Sequence, residues 1–202
     1  MDTVNLRNTL PRTFYEMDTR QTAKLLLGKT LYRTSEEGLL SGMIVETEAY
    51  LQGDPASHAY RGMTERNRLM FGPPGFAYVY FSYGVHDMLN VVTRPQGNAE
   101  AVLIRAVMPI DGIEIMRRNR RSPNAPQRRL AAGPGRLTRA FNIARTSDNG
   151  ADLTDPQSGI WIAEGDDIQK DRIVETTRIG LTKAAEKPWR YYILGNSSVS
   201  RK

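Results

Sequence analysis

The hydrophobic pattern changes period along the chain, and each change predicts an element. Ala23, Leu26 and Leu27 follow Asp18 and Gln21 at helical spacing, with Gly28 behind them, which predicts a short capped helix. The period then drops to two. Residues 31–33 and 42–50 read as strands separated by the polar turn 35–38, and a loop over 52–68 follows. The aromatic and β-branched run 76–83 predicts a strand, and the apolar run 101–107 a short buried one. Asp111 with Glu114 predicts a capped helix that ends before Pro123, because the residue preceding proline avoids the helical region. Pro134, inside Gly133-Pro134-Gly135, is placed to open another helix. Weaker strand signals stand at 159–162, 172–176 and 190–194. Strands come in pairs rather than alternating strictly with helices, so the expected class is α+β.

Composition narrows the chemistry. With 202 residues, 40% of them hydrophobic and 25% charged, the chain can bury one continuous core, and no repeat or linker divides it; one mixed domain over 1–202 is expected. There is no cysteine, which removes disulfides, Fe–S clusters, Cys-ligated zinc and a thiol nucleophile, and leaves two histidines as nitrogen ligands. No metal and no cofactor are expected. The longest uncharged run, 71–85, opens Gly72-Pro73-Pro74-Gly75, and no apolar leader follows Asp2, so the reading is an intracellular, cytoplasmic protein with no membrane partner.

Charge is unevenly spread. Against a net charge of +6 for the whole chain, residues 115–147 hold nine arginines (117, 118, 120, 121, 128, 129, 136, 139 and 145), no lysine and no acid. A solvated surface arm is the plain reading of such a run. Arginine without lysine instead suits planar, bidentate contact with phosphates, and the turn before Arg136 could offer amides to one. Nucleic acid becomes the leading partner class.

Two further features carry chemistry. In a regular strand Glu46 and Glu48 share a face with Ile44 and Tyr50. At about 7 Å their repulsion is at most about 2.4 kcal/mol at an effective dielectric near 20, enough to tune one carboxyl as a general base if the pair is partly buried. The plainer alternative pairs both with arginines on a solvated edge. Five of the nine tyrosines (50, 60, 78, 80 and 83) fall within a stretch of 34 residues. Aromatic side chains at strand spacing are more often core than recognition surface, yet tyrosine, with a stacking face and a hydroxyl, is also what a pocket or wedge for nucleobases would use. His58 lies in the loop after the glutamates, and by default would be a surface residue.

The string Val45-Glu46-Thr47-Glu48-Ala49-Tyr50, then His58, Arg66-Asn67-Arg68-Leu69-Met70-Phe71, Tyr78-Val79-Tyr80, Tyr83-Gly84, Asn90, Leu103-Ile104-Arg105-Ala106 and Gly133-Pro134-Gly135-Arg136-Leu137-Thr138 resembles the alkyladenine (3-methyladenine) DNA glycosylase family, over roughly 12–194 and in a compact form like the bacterial branch. The resemblance implies a curved, mostly antiparallel sheet flanked by helices, with a β-hairpin that enters the DNA minor groove. It implies Glu48 as the general base, with Arg105 beside the attacking water. Tyr50, His58 and Tyr80 would be walls around a flipped base, Asn90 a side chain crowding the purine 2-amino position, and Tyr83 the wedge replacing the extruded nucleotide. Arg61, Arg66, Arg68, Arg117, Arg118 and Arg136 are the expected backbone contacts. Glu46 receives no catalytic role. Where the family usually has an aromatic residue and often a cysteine after the wedge this chain has Asp87-Met88, and an acid there repels phosphate unless it turns inward to a partner.

The implied activity is monofunctional, metal-free excision of alkylated or deaminated purines (3-methyladenine, 7-methylguanine, hypoxanthine, ethenoadenine) from double-stranded DNA, by a monomer at the bacterial nucleoid, or in the nucleus of a eukaryote. Two alternatives stay open: a non-catalytic basic nucleic-acid-binding protein, which explains the charge but not the ordered motifs, and a formyltransferase-like accessory domain, which needs no general base.

Overall fold

Thr30–Ser35 (β1) and Gly38–Tyr50 (β2) form the expected hairpin, paired from Ser35↔Gly38 to Thr30↔Met43. The structure, a computed structural model, describes residues 8–82 and 84–201. β2 outruns β1. Its second half pairs on that side with Arg190–Ile193 (β8), while Glu100–Asp111 (β5) follows β2 along nearly all of its other side. Glu46 and Glu48 therefore lie in the middle of a sheet, with neighbouring strands on both sides.

Among the described residues eight strands form one sheet, in the order β3-β4-β5-β2-β1-β6, with Ala77–Ser82 as β3, His86–Thr93 as β4 and Ile160–Ala163 as β6. β8 lies beside β2, and Ile173–Thr176 (β7) beside β8. Every pairing is antiparallel. Leu31, Ile44, Val91, Val102, Ile104, Leu137 and Phe141 belong to one buried apolar cluster that joins the sheet to its helices.

Four short helices accompany the sheet among the described residues. Thr19–Leu25 (α1) is capped as expected, Asp18 accepting from the amides of Arg20 at 3.0 Å and Gln21 at 3.2 Å. Ile113–Asn119 (α2) ends before Pro123 as expected, but Asp111 does not cap it. β5 runs on to Asp111, whose carboxylate accepts from Ser41 Oγ at 2.6 Å across the sheet. The cap position passes to Gly112, left-handed at φ 73, where a Cβ would lie 2.9 Å from the Leu39 carbonyl oxygen. Pro134–Ala140 (α3) opens on Pro134, and Arg145–Asp148 (α4) follows. β4 is the strand that the alternation does not predict. Its first half, His86-Asp87-Met88, is polar or neutral, and β3 and β5 on either side supply its hydrogen-bond partners.

Candidate active site

Four strands turn one face toward a cavity of about 500 Å³. Side chains of directly paired residues share a face, so the pairs Tyr78↔Asn90, Asn90↔Leu103 and Glu48↔Leu103 make one row across β3, β4, β5 and β2. Tyr80 with Met88, and Tyr50 with Ala101, flank that row, and all four line the cavity. One tyrosine from β2 and another from β3 thus stand on opposite sides of a shared depression.

The glutamate strand is not regular. Val45 is an extra residue on β2 and Arg105 an extra residue on β5, so the register slips at Ile44/Glu46 and is restored at Glu46/Thr47. Arg105 is thereby brought between the two carboxylates: Nε donates to Glu46 Oε1 at 3.0 Å and Nη1 lies 3.2 Å from Glu48 Oε1. The glutamates pair with arginine, but not on a solvated edge, since both are wholly buried. A guanidinium between them offsets the repulsion of two carboxylates on one face. Burial alone would lower the Arg105 pKa, but the charges of Glu48 and Glu46 outweigh it and hold it above the usual guanidinium range.

Glu48 accepts two hydrogen bonds among the described residues, from Tyr50 Oη to Oε2 at 2.9 Å and from the Ile179 amide to Oε1 at 2.8 Å, and the Arg105 guanidinium adds an ion pair to Oε1 at 3.2 Å. A carboxylate has about four acceptor positions, so Oε2 retains capacity for a water. Burial, and then the Glu48 charge, push the Tyr50 hydroxyl far above the usual phenol range, which keeps it a donor.

The walls are braced from behind. The Arg178 guanidinium lies over the Tyr50 ring at 4.7 Å and over Trp189 at 5.1 Å. It also pairs with Asp54, through Nη1 at 2.5 Å and Nη2 at 3.2 Å, in an ion pair with neither side chain exposed. That pair ties the loop over 52–68 to the segment bearing Ile179. Within the loop, Asn67 Nδ2 donates to the carbonyls of His58 and Gly62. His58 packs edge-on to Tyr80, with ring centroids 4.4 Å apart, and its Nδ1 lies 3.0 Å from Tyr78 Oη. Burial, and then the Arg66 charge, lower the His58 pKa, so the ring is neutral at pH 7. Burial raises that of Tyr78. Asn90 donates from Nδ2 to the Tyr78 carbonyl at 3.0 Å, and so is fixed on the cavity floor.

Of the thirteen residues nominated from sequence, Tyr50, His58, Tyr80, Asn90, Arg105 and Arg66 line the cavity, and Glu48 lies beneath it. Arg61 lines an adjoining hollow of about 320 Å³ together with Arg66. Arg68 is exposed, 3.8 Å from Glu65. Tyr83 lies outside the described residues. Arg117 and Arg118 are not brought to the cavity. They pair with Glu114 and Glu37, and Glu37 lies in the turn before β2, about 36 Å along the strand direction from Glu48. Arg136 is exposed on α3 and, with Arg120 and Arg139, adds to a cluster of positive charge beside His86. Asp87 alternates away from Met88 and so from the cavity face, and its Oδ1 is buried but meets no hydrogen-bond partner among the described residues, so it turns inward without the partner expected for it.

Ile179, Arg178, Arg190 and Lys183 were not foreseen. All four come from beyond residue 177, and the site residues that Arg178, Ile179 and Arg190 meet, Asp54, Glu48 and Glu46, are more than 100 residues earlier, so no local spacing marks them. Among the described residues no group of three or more His, Asp or Glu is placed to hold a metal ion, and no helix is long and apolar enough to cross a membrane.

A family model described as methylpurine-DNA glycosylase matches residues 13–197. A relative from Methanoculleus marisnigri named "Putative 3-methyladenine DNA glycosylase" is 51% identical, over 96% of this chain and 100% of its own. Similar proteins of the same name come from Carboxydothermus hydrogenoformans, 49% identical over 96% of this chain and 99% of its own, and from Koribacter versatilis, 46% identical over 96% and 93%.

Proposed function

The chain belongs to the methylpurine-DNA glycosylase family, and on that premise we propose that it excises alkylated and deaminated purines from double-stranded DNA by attack of a water that Glu48 activates. The observation that carries the reading is a buried carboxylate held by Tyr50, Arg105 and the Ile179 amide at the base of an aromatic-walled cavity.

In this reading the damaged nucleotide leaves the duplex, at a cost of a few kcal/mol that is lowest for weakened pairs. The wedge Tyr83 fills the gap it leaves. The purine stacks between Tyr50 and Tyr80 with His58 at its edge, and Asn90 crowds a 2-amino group. The water oxygen bonds to C1′ as the N-glycosidic bond breaks, the bonding pair departs with the purine, and the water proton passes to Glu48. Carboxylate and guanidinium have separate roles: Glu48 stabilises positive charge developing on the sugar, and Arg105 holds the carboxylate and faces the nucleotide's phosphate. Cationic 3-methyladenine and 7-methylguanine leave as neutral bases, whereas hypoxanthine and ethenoadenine depart as anions that are neutralised by a proton from solvent water. Arg61, Arg66, Arg68 and Arg136 contact phosphates. The attack is by water rather than by an amine, which makes the enzyme monofunctional.

The test is Glu48→Gln under single turnover on a hypoxanthine duplex. The native chain should release free base and leave strands intact until alkali is added. The variant should bind the duplex but excise about 100- to 10,000-fold more slowly, the usual span of general-base catalysis. An unchanged rate would remove Glu48 from the reaction.

A further inference from the structure

Glu46 reaches the cavity with none of its atoms, yet more donors converge on it than on any carboxylate of the site. Its Oε1 accepts from Arg105 Nε at 3.0 Å, Arg190 Nη1 at 2.8 Å and Ser200 Oγ at 3.0 Å, and Oε2 accepts the Ser200 amide at 2.7 Å. Arg190 Nη1 also donates to the Arg201 carbonyl at 2.9 Å, and its Nε to that of Thr177 at 3.1 Å. β8 and the residues after it are thus bonded into the carboxylate pair.

Burying a carboxylate of this kind costs several kcal/mol unless cations and hydrogen bonds compensate, so the arrangement is a constraint as well as a contact. The constrained object is a planar group. Nε is hydrogen-bonded to Glu46 Oε1 while Nη1 is ion-paired with Glu48 at 3.2 Å, so Glu46 supplies the directional contact that holds the planar group against Glu48 where Arg105 lines the cavity. The paired bulges at Val45 and Arg105 serve the same end, placing the arginine between carboxylates that a regular ladder would offer it less directly.

We propose that Glu46, itself held by Ser200 and Arg190, is a positioning residue that orients Arg105 toward Glu48 and the bound nucleotide. The proposal rests on Arg105 taking part in the reaction, and the experiment separates the two. Single-turnover excision and lesion-duplex affinity are measured for Glu46→Gln, Arg105→Ala and the double variant. A misplaced catalytic geometry costs up to about 100-fold in rate. Glu46→Gln should therefore slow excision by about 10- to 100-fold with affinity changed by less than about 3-fold. In the Arg105→Ala background the same change should have no further effect, because its route is already gone.

If the two losses multiply, Glu46 acts on the fold or on another group and the proposal is overturned. If Arg105→Ala leaves the rate unchanged, the reading of Arg105 fails first. Should Glu46→Gln not fold, Ser200→Pro removes the amide hydrogen and the hydroxyl from Glu46 without removing a charge. It should slow the native enzyme by about 3- to 10-fold and be silent without Arg105, and losses that multiply would count against the proposal equally.

Discussion

Tyr50 joins two functions in one side chain. Its hydroxyl donates to Glu48 at 2.9 Å, and its ring carries the Arg178 guanidinium on one side at 4.7 Å while lining the cavity. The two are separable by substitution. Tyr50→Phe keeps the ring and its cation but leaves Glu48 Oε2 without that donor. Single-turnover excision should fall about 10-fold, the worth of one charge-assisted hydrogen bond, with lesion-duplex affinity within about 2-fold of native. Equal losses in rate and affinity would mean that the hydroxyl holds the pocket rather than the carboxylate. The motif named Glu48 and Tyr50 as a pair because they are near neighbours on one strand. It could not name what supports them. Arg178 and Asp54 are 124 residues apart, and a buried ion pair of that span leaves no periodic trace in the chain. Glu46 shows the same limit: its spacing from Glu48 was plain, but its partners Arg190 and Ser200 come from the far end of the chain.

At the scale of elements, strands and caps were legible where local chemistry decides them and illegible where tertiary contacts do. Asp18 caps α1 because its carboxylate finds the first amides within its own turn. Asp111 met the same pattern but is claimed by Ser41 across the sheet. Gly133-Pro134-Gly135 shows the helix start in sequence and hides the reason for its second glycine. Gly135 packs under His86: a Cβ there would lie 2.5 Å from the imidazole Cγ and 2.9 Å from its Cβ, atoms too near the backbone to swing aside. Thr138 Oγ1 adds a bond to the Asp87 carbonyl at 2.9 Å, so α3 is docked on the β3–β4 hairpin at two successive residues of β4. Gly135→Ala should destabilise the protein by about 1–3 kcal/mol, the range for overpacking, and lower the melting temperature by about 2–10 °C. Combining it with His86→Ala should restore only part of the loss, because the ring is removed but the Cβ at position 86 still lies 2.9 Å away. A melting temperature equal to native in the single variant would mean that α3 slides freely on the hairpin.

Across the whole molecule, the concentration of charge in 115–147 was visible in the sequence, but its division was not. Arg117 and Arg118 each face a carboxylate, and the one on Arg118 belongs to the turn farthest along β2 from Glu48. Arg120, Arg136 and Arg139 gather near His86 at the turn end of the hairpin. There burial, followed by the Arg136 and Arg139 charges, lowers the Arg120 pKa, and burial with the Arg139 and Arg120 charges lowers that of His86. Cations that repel one another favour an incoming phosphate, and each one neutralised by DNA releases counterions. An arginine already paired with a carboxylate releases fewer. The logarithm of affinity falls with the logarithm of salt by about 0.9 per phosphate contact on duplex DNA. Replacing Arg136 and Arg139 with glutamine should therefore flatten that slope by about 2, and replacing Arg117 and Arg118 by less than about 0.5. The two double variants carry the same net charge, so a bulk effect of charge would move both slopes alike. A larger change from the Arg117 and Arg118 pair would place the DNA along α2 instead of across the hairpin and the mouth of the cavity.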